Sequence, residues 1–134
     1  MSAENVSIVK GIYEAFATGD IPAVVAAMSP DIEWNEAENF IYSDGNPYRG
    51  PDAILGGVLA RIGADWEGFN LEPEQILDAG DTVVMLGRYT GKFNATGNSM
   101  NPQVAHFWTL ESGKVTRFQQ LCDTLAVARC TGHA

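Results

Sequence analysis

His106 and Asp123 are two side chains of the types that serve as general acids and bases. The stretch "AHFWTLESGKVTRFQQLCDT", residues 105–124, puts both on what reads as one strand face. The turn Glu111-Ser112-Gly113-Lys114 folds this stretch into a hairpin. If Glu111 opposes Lys114, Leu110 faces Val115, Trp108 faces Arg117, His106 faces Gln119, and Val104 faces Leu121. Opposed side chains point to the same side and the period is two. One face then carries Val104, His106, Trp108, Arg117, Gln119, Leu121 and Asp123. The other carries Ala105, Phe107, Thr109, Thr116, Phe118, Gln120 and Cys122. A bulge would change every pairing beyond it. The first face mixes aromatic bulk with an imidazole, an amide and a carboxylate, as an apolar pocket with a few converging polar groups requires. Two readings stand open at this level: His106, Gln119 and Asp123 satisfy one another inside a core, or they meet a ligand.

The elements that must hold this hairpin are legible along the chain. Val6, Val9, Ile12, Tyr13 and Phe16 recur at helical spacing and Gly19 supplies the stop. Asp20 suits the cap of a short second helix, "IPAVVAAM", with Pro22 in its first turn. In "SPDIEWNEA", Ile32, Trp34 and Glu36 alternate with Glu33 and Asn35, which is strand periodicity. "SDGNPYRGP" reads as loop, and Pro51 and Asp52 suit the opening turn of a third helix with Ile54, Leu55, Val58, Leu59, Ile62 and Trp66 on one stripe. From Leu71 the pattern is stranded. "EPEQILDAGDTVVMLGRYTGKF" predicts a hairpin turning at Asp78-Ala79-Gly80-Asp81, "ATGNSMNP" is a connection, and the opening hairpin closes the chain. Helices first and antiparallel strands after predict an α+β fold, with three helices in the N-terminal half on one face of a curved sheet.

Composition narrows the partners. At 134 residues the chain, 1–134, is expected to be one domain, and 46% hydrophobic against 19% charged residues argues for a globular rather than a disordered protein. A net charge of −9 repels nucleic-acid phosphates and anionic membrane surfaces, so neither is expected as a partner. No apolar run approaches a membrane span of roughly 20 residues. "MSAENVSIVKG" lacks the basic-then-apolar order of a secretion signal, so a cytoplasmic location is expected. Cys122 and Cys130 lack metal-site spacing, which predicts two idle thiols, no metal and no cofactor.

The order of these motifs resembles the SnoaL-like polyketide-cyclase family, within the ketosteroid-isomerase and nuclear-transport-factor-two-like superfamily. "IYEAFATGDIPAVVAAMSPDIEW" resembles the family's first two helices and first strand, "YRGPDAI" its loop into the third helix, and residues 105–124 its closing hairpin. The resemblance implies a cone-shaped, mixed and mostly antiparallel sheet wrapped over the helices, an open cavity, and a homodimer. This fold hosts many chemistries, so fold alone does not assign a reaction. The resemblance also implies a base on the last strand assisted by a His on the strand before it, positions matched by Asp123 and His106. The chemistry is proton removal beside a carbonyl, which needs a base of raised pKa and a donor for the developing oxyanion.

Glu36 lies near where ketosteroid isomerases carry their base. As an alternative to that role, and the preferred one, it is an exposed carboxylate at a strand end. By spacing from Gly19-Asp20, the isomerases' oxyanion tyrosine would fall on Ile12 rather than Tyr13. Their second oxyanion acid has no counterpart near Ala105 and His106. Both departures speak against steroid isomerisation. Arg117 opposite Trp108 invites an epoxide-hydrolase reading, yet no second carboxylate can be placed beside it. Arg117 is more simply a solvated cation or one lying over the Trp ring. Arg88 either lines the cavity or pairs with a surface acid.

The expected catalytic residues are therefore Asp123, His106 and Glu36. The expected ligand-contacting ones are Trp34, Trp108, Gln119, Leu121, Tyr13 and Tyr48, where each large aromatic can equally be core. The expected function is a lyase or isomerase acting on a small apolar, carbonyl-containing molecule. The alternative is a non-catalytic binder of such a molecule. The Phe107 and Phe118 face is expected to form the homodimer.

Overall fold

Residues 2–134 are described by a computed structural model of the chain. Helix α1 (Ala3–Thr18) begins where Ser2 Oγ accepts the Asn5 N–H at 3.1 Å. It ends at Gly19, whose φ of 73° is left-handed backbone that glycine adopts without steric cost. Asp20 then caps α2 (Ile21–Ala26) by accepting the Ala23 N–H at 3.2 Å. The apolar stripe of α1 buries Val9, Ile12 and Tyr13.

Among the described residues seven strands form one open, mixed sheet: β1 (Met28–Asn35), β2 (Tyr48–Arg49), β3 (Trp66–Ala79), β4 (Thr82–Phe93), β5 (Ser99–Met100), β6 (Gln103–Glu111) and β7 (Lys114–Cys122). Their order is β2-β1-β7-β6-β4-β3, with β5 added to β4. Only the β1–β7 pair is parallel. The N-terminal helices lie on the inner face. The fold is thus the α+β arrangement the element order predicts.

Four local expectations are corrected. The third helix is interrupted: α3 (Pro51–Ile54) passes through a π-helical turn (Leu55–Leu59) into α4 (Ala60–Asp65). Trp66 opens β3 instead of ending that helix, with its ring packed at 4.8 Å on Phe93. The hairpin does not close the chain, because α5 (Thr124–Thr131) follows it.

The fourth correction matters most. In the last hairpin Leu110 pairs with Val115, but Thr109 pairs with Arg117, so Thr116 is an extra residue in β7. Beyond that bulge Trp108 faces Phe118, His106 faces Gln120, and Val104 faces Cys122. Every β7 side chain past Thr116 therefore lies on the opposite face from the unbulged register. Phe118 and Gln120 are buried, whereas Leu121 is 50% exposed. The energetic logic is plain: the bulge brings Phe118 against Trp34, stacked at 3.8 Å, and against Trp108 at 4.6 Å. Full burial of one such ring is worth roughly 1.5–3 kcal/mol, more than one ladder bond lost at the bulge.

Among the described residues no helix is long and apolar enough to cross a membrane. Cys122 and Cys130 are free thiols, and burial pushes Cys122 up to about 12.

Candidate functional site

Between the inner face of the sheet and the helices lies a cavity of about 250 Å³. Tyr13, Phe16 and Ala17 of α1 form one wall, and Val58, Leu59 and Ile62 of the interrupted helix form another. The sheet contributes Trp34 from β1, Phe69 and Leu71 from β3, Tyr89 from β4, His106 and Trp108 from β6, and Phe118 and Gln120 from β7. Glu36 and Phe40, just past β1, line it too, as do Ile21, Gly63 and Asn70.

The polar groups on this wall form a connected chain. His106 is buried, sharing hydrogen bonds through Nδ1 with Tyr13 Oη at 2.8 Å and through Nε2 with Tyr89 Oη at 2.7 Å. Trp108 Nε1 donates to Tyr13 Oη at 2.7 Å, and Gln120 Nε2 donates to Tyr89 Oη at 2.7 Å. Gln120 Oε1 in turn accepts the Ala37 N–H at 3.1 Å, which ties β7 to the chain leaving β1. Loss of hydration pulls the His106 imidazole down to about 3, so the ring is neutral at physiological pH. Burial raises the Tyr13 phenol, and burial together with the charge of Glu36 raises that of Tyr89, so both keep their hydroxyl protons.

Glu36 is the carboxyl of this site. It is 3% exposed and lines the cavity, with the Trp34 indole as its polar neighbour. Burial pushes it up to about 8, and the nearby Trp34 indole N–H offsets part of that rise. Trp34 Nε1 nonetheless has no partner in hydrogen-bond geometry, leaving a buried donor beside a buried carboxyl. Asn46 fixes the backbone here: its Oδ1 accepts the Glu36 N–H at 2.9 Å and its Nδ2 donates to the Glu36 carbonyl at 2.8 Å. With strand parity carried over from Trp34, this clamp turns the carboxyl inward. The preferred sequence expectation of an exposed strand-end acid is overturned.

The other expected residues divide sharply. Trp34, Trp108, Tyr13 and His106 line the cavity. Asp123 does not: it is exposed, and its Oδ1 accepts the Ala126 N–H at 3.1 Å as the cap of α5. Leu121 and Gln119 lie on the outer face with Asp123, because the Thr116 bulge reversed their parity. Tyr48 is buried away from the cavity, donating to the Tyr42 carbonyl at 2.6 Å. A Cβ at Gly57 would come within 2.2 Å of that ring, so this glycine makes room for it. Arg117 pairs at 3.7 Å with Glu33, and Arg88 donates to the Asn101 carbonyl at 2.8 Å, both outside the cavity.

Tyr89 and Gln120 went unrecognised in the sequence. Tyr89 was available from parity, since Val83 and Met85 on β4 face inward and residue 89 keeps step with them. Gln120 required the bulge, and no glycine or proline marks it.

Comparison with known proteins places the chain. The family description "SnoaL-like domain" matches residues 9–118. An NTF2-like protein from Burkholderia thailandensis is 38% identical, with 94% of this chain and 95% of that one covered and a TM-score of 0.90. An NTF2-like protein from Burkholderia xenovorans is 30% identical over 98% of both chains, with a TM-score of 0.84. TerC, co-crystallised with polyporic acid, is 27% identical over 97% of this chain and 99% of its own, with a TM-score of 0.86. Among curated proteins none matches. The chain belongs to the SnoaL-like domain family and has its NTF2-like fold.

Proposed function

We propose that this protein is a lyase or isomerase that removes a proton from carbon beside a carbonyl, with Glu36 as the base. Tyr13 or Tyr89, each bonded to His106, provides the hydroxyl donor for the oxygen on which charge develops. The observation that carries this reading is Glu36 itself: a buried carboxyl lining the same cavity as two tyrosines. A carboxylate that gives up hydration is a stronger base, and its pKa of about 8 suits abstraction from weakly acidic carbon. The role expected for Asp123 passes to Glu36, since Asp123 does not reach the cavity.

The room available bounds the substrate. A cavity of roughly 150 Å³ lined by aliphatic and aromatic groups holds one benzene ring. The 250 Å³ here fits a substituted ring or two small rings, largely apolar and bearing a carbonyl. That TerC was co-crystallised with polyporic acid supports a small organic ligand.

Hydrogen–deuterium exchange at the α-carbons of cyclic ketones, followed by NMR in D₂O, tests the reading. Wild-type protein is expected to accelerate exchange, with a rate that rises through about pH 8 as Glu36 ionises. Glu36→Gln is expected to lose about 10²–10⁴-fold of that acceleration. Equal rates in the variant would remove Glu36 as base.

The protonated state of Glu36 below pH 8 favours a second reading, a non-catalytic binder in which the acid donates to a ligand oxygen. In that case Glu36→Gln keeps ligand affinity while wild-type protein shows no exchange at any pH.

The outer face of the sheet supports a homodimer. Leu77, Leu86 and Leu121 are 45%, 38% and 50% exposed there, and Phe107 and Val84 pair side by side between them. A contiguous apolar patch of this kind is a surface that association covers. Light scattering is expected to give twice the mass of the chain, and Phe107→Lys to give a monomer. A monomeric wild-type mass would end this proposal.

A further inference from the structure

The hydrogens on the His106 chain can be counted. Trp108 can only donate, so Tyr13 Oη accepts one fixed N–H. The amide of Gln120 is oriented by the Ala37 N–H at its oxygen, so Tyr89 Oη likewise accepts one fixed N–H. A neutral imidazole carries one N–H and one lone pair, on opposite nitrogens. Each nitrogen touches one tyrosine.

Two arrangements satisfy every group. In the first, Nδ1–H donates to Tyr13, Tyr89 donates its hydroxyl hydrogen to Nε2, and the Tyr13 hydroxyl hydrogen is unclaimed. In the second, Nε2–H donates to Tyr89, Tyr13 donates to Nδ1, and the Tyr89 hydroxyl hydrogen is unclaimed. No arrangement of a neutral ring satisfies the chain while leaving both hydroxyls free. Both tyrosines line the cavity, so the free hydroxyl is a donor available to a ligand there. The indole at one end and the amide at the other offer each phenol the same single N–H. Neither tyrosine is committed by anything except the imidazole.

We infer that His106 is a selector: the tautomer of its ring decides which of Tyr13 and Tyr89 presents a hydroxyl donor to the cavity. A ligand whose acceptor oxygen lies toward Tyr13 draws the ring into the Nδ1–H form, and one whose oxygen lies toward Tyr89 draws it into the Nε2–H form. His106 is thus a positioning residue, acting through the tyrosines. The inference rests on the reading of these two hydroxyls as the groups that meet the substrate oxygen.

Side-chain ¹⁵N NMR at pH 7 reads the tautomer directly. Replacing His133, the other histidine, by Asn leaves a single imidazole in the spectrum. Wild-type His106 is expected to show one protonated and one bare nitrogen, or two signals averaged between those limits. In Tyr13→Phe only Tyr89 can accept, which places the proton on Nε2, and the orphaned Trp108 N–H favours a bare Nδ1 beside it. In Tyr89→Phe the proton is expected on Nδ1. The two spectra should therefore be mirror images.

If the tyrosine variants fail to fold, a milder pair asks the same question. Trp108→Phe leaves Tyr13 short of one donor and is expected to shift the ring toward Nδ1–H, whereas Gln120→Leu is expected to shift it toward Nε2–H. The same tautomer across all variants, or a doubly protonated ring in the wild type, overturns the selector. None of these spectra depends on turnover. A failed selector leaves Glu36 as base untouched, and a protein without exchange activity leaves the selector standing.

Discussion

Glu36 and Asp123 are near-equivalent positions with opposite fates. Each is an acid just beyond the end of a strand, β1 for Glu36 and β7 for Asp123, and these two strands are parallel neighbours. Trp34 and Phe118 are paired across them and both point inward. Two residues on from Trp34, Glu36 points inward too. Five on from Phe118, Asp123 has the opposite parity and turns out to solvent, where it caps α5. One acid is left buried on the cavity wall, and the other is spent on a helix terminus. The difference teaches that residue type and strand position do not assign a base; parity does, and here a single bulged residue sets the parity.

The comparison is sharpest in its pH dependence. Glu36 in the folded protein holds its proton up to about pH 8, against 4.5 ordinarily, so the stability it permits is full below pH 4.5 and is lost as pH rises to 8. His106 has the reverse sign. Its folded pKa of about 3 lies below the ordinary 6.5, so stability is full above pH 6.5 and is lost as pH falls to 3. From pH 4.5 to 6.5 the two slopes oppose each other and cancel. Denaturant titration is expected to show a plateau there, with stability falling on either side. Each group contributes about 1.4 kcal/mol per pH unit where it acts alone. Glu36→Gln removes the alkaline loss, making the variant more stable than wild type by up to about 5 kcal/mol at pH 9. Parallel profiles for the two proteins between pH 4.5 and 8 would mean that Glu36 is not a desolvated acid.

Gln120 tests how the inner acid is held. Its amide joins the Ala37 N–H to the Tyr89 hydroxyl. Gln120→Leu keeps the bulk but strands the Ala37 N–H in the interior, at a cost of about 1–3 kcal/mol, and leaves Tyr89 Oη only its bond with His106. A fall in unfolding midpoint together with slower exchange chemistry is expected. Loss of stability with unchanged chemistry would show that the link from β7 to the chain after β1 does not position Glu36.

Much of this is legible in the sequence. The caps at Gly19 and Asp20, the β3–β4 hairpin and the inward parity of Trp34 follow from local chemistry, because their determinants lie within a few residues. His106, Trp108 and Tyr13 fall on the cavity wall for the same reason. What local chemistry does not hold is the Thr116 bulge. Its cause is long-range, the gain from stacking Phe118 on Trp34 of a strand far away in sequence. Helix α5 was missed as well, and with it the capping demand that claims Asp123. Glu36, a catalytic candidate in the sequence, reads first as solvated for a related reason: nothing local to a strand-end acid announces the Asn46 clamp.

Asp123→Ala completes the comparison with the smallest effect. The side chain gives one hydrogen bond to the first turn of α5, and capping bonds of this kind are worth about 1 kcal/mol. A drop of that size in unfolding free energy is expected, with α-carbon exchange on the ketone panel unchanged from wild type. Asp123→Asn, which can still cap, should restore most of the stability. If either substitution instead slowed exchange as much as Glu36→Gln does, Asp123 would be acting on the cavity from outside it. The assignment of the two acids by parity would then fail.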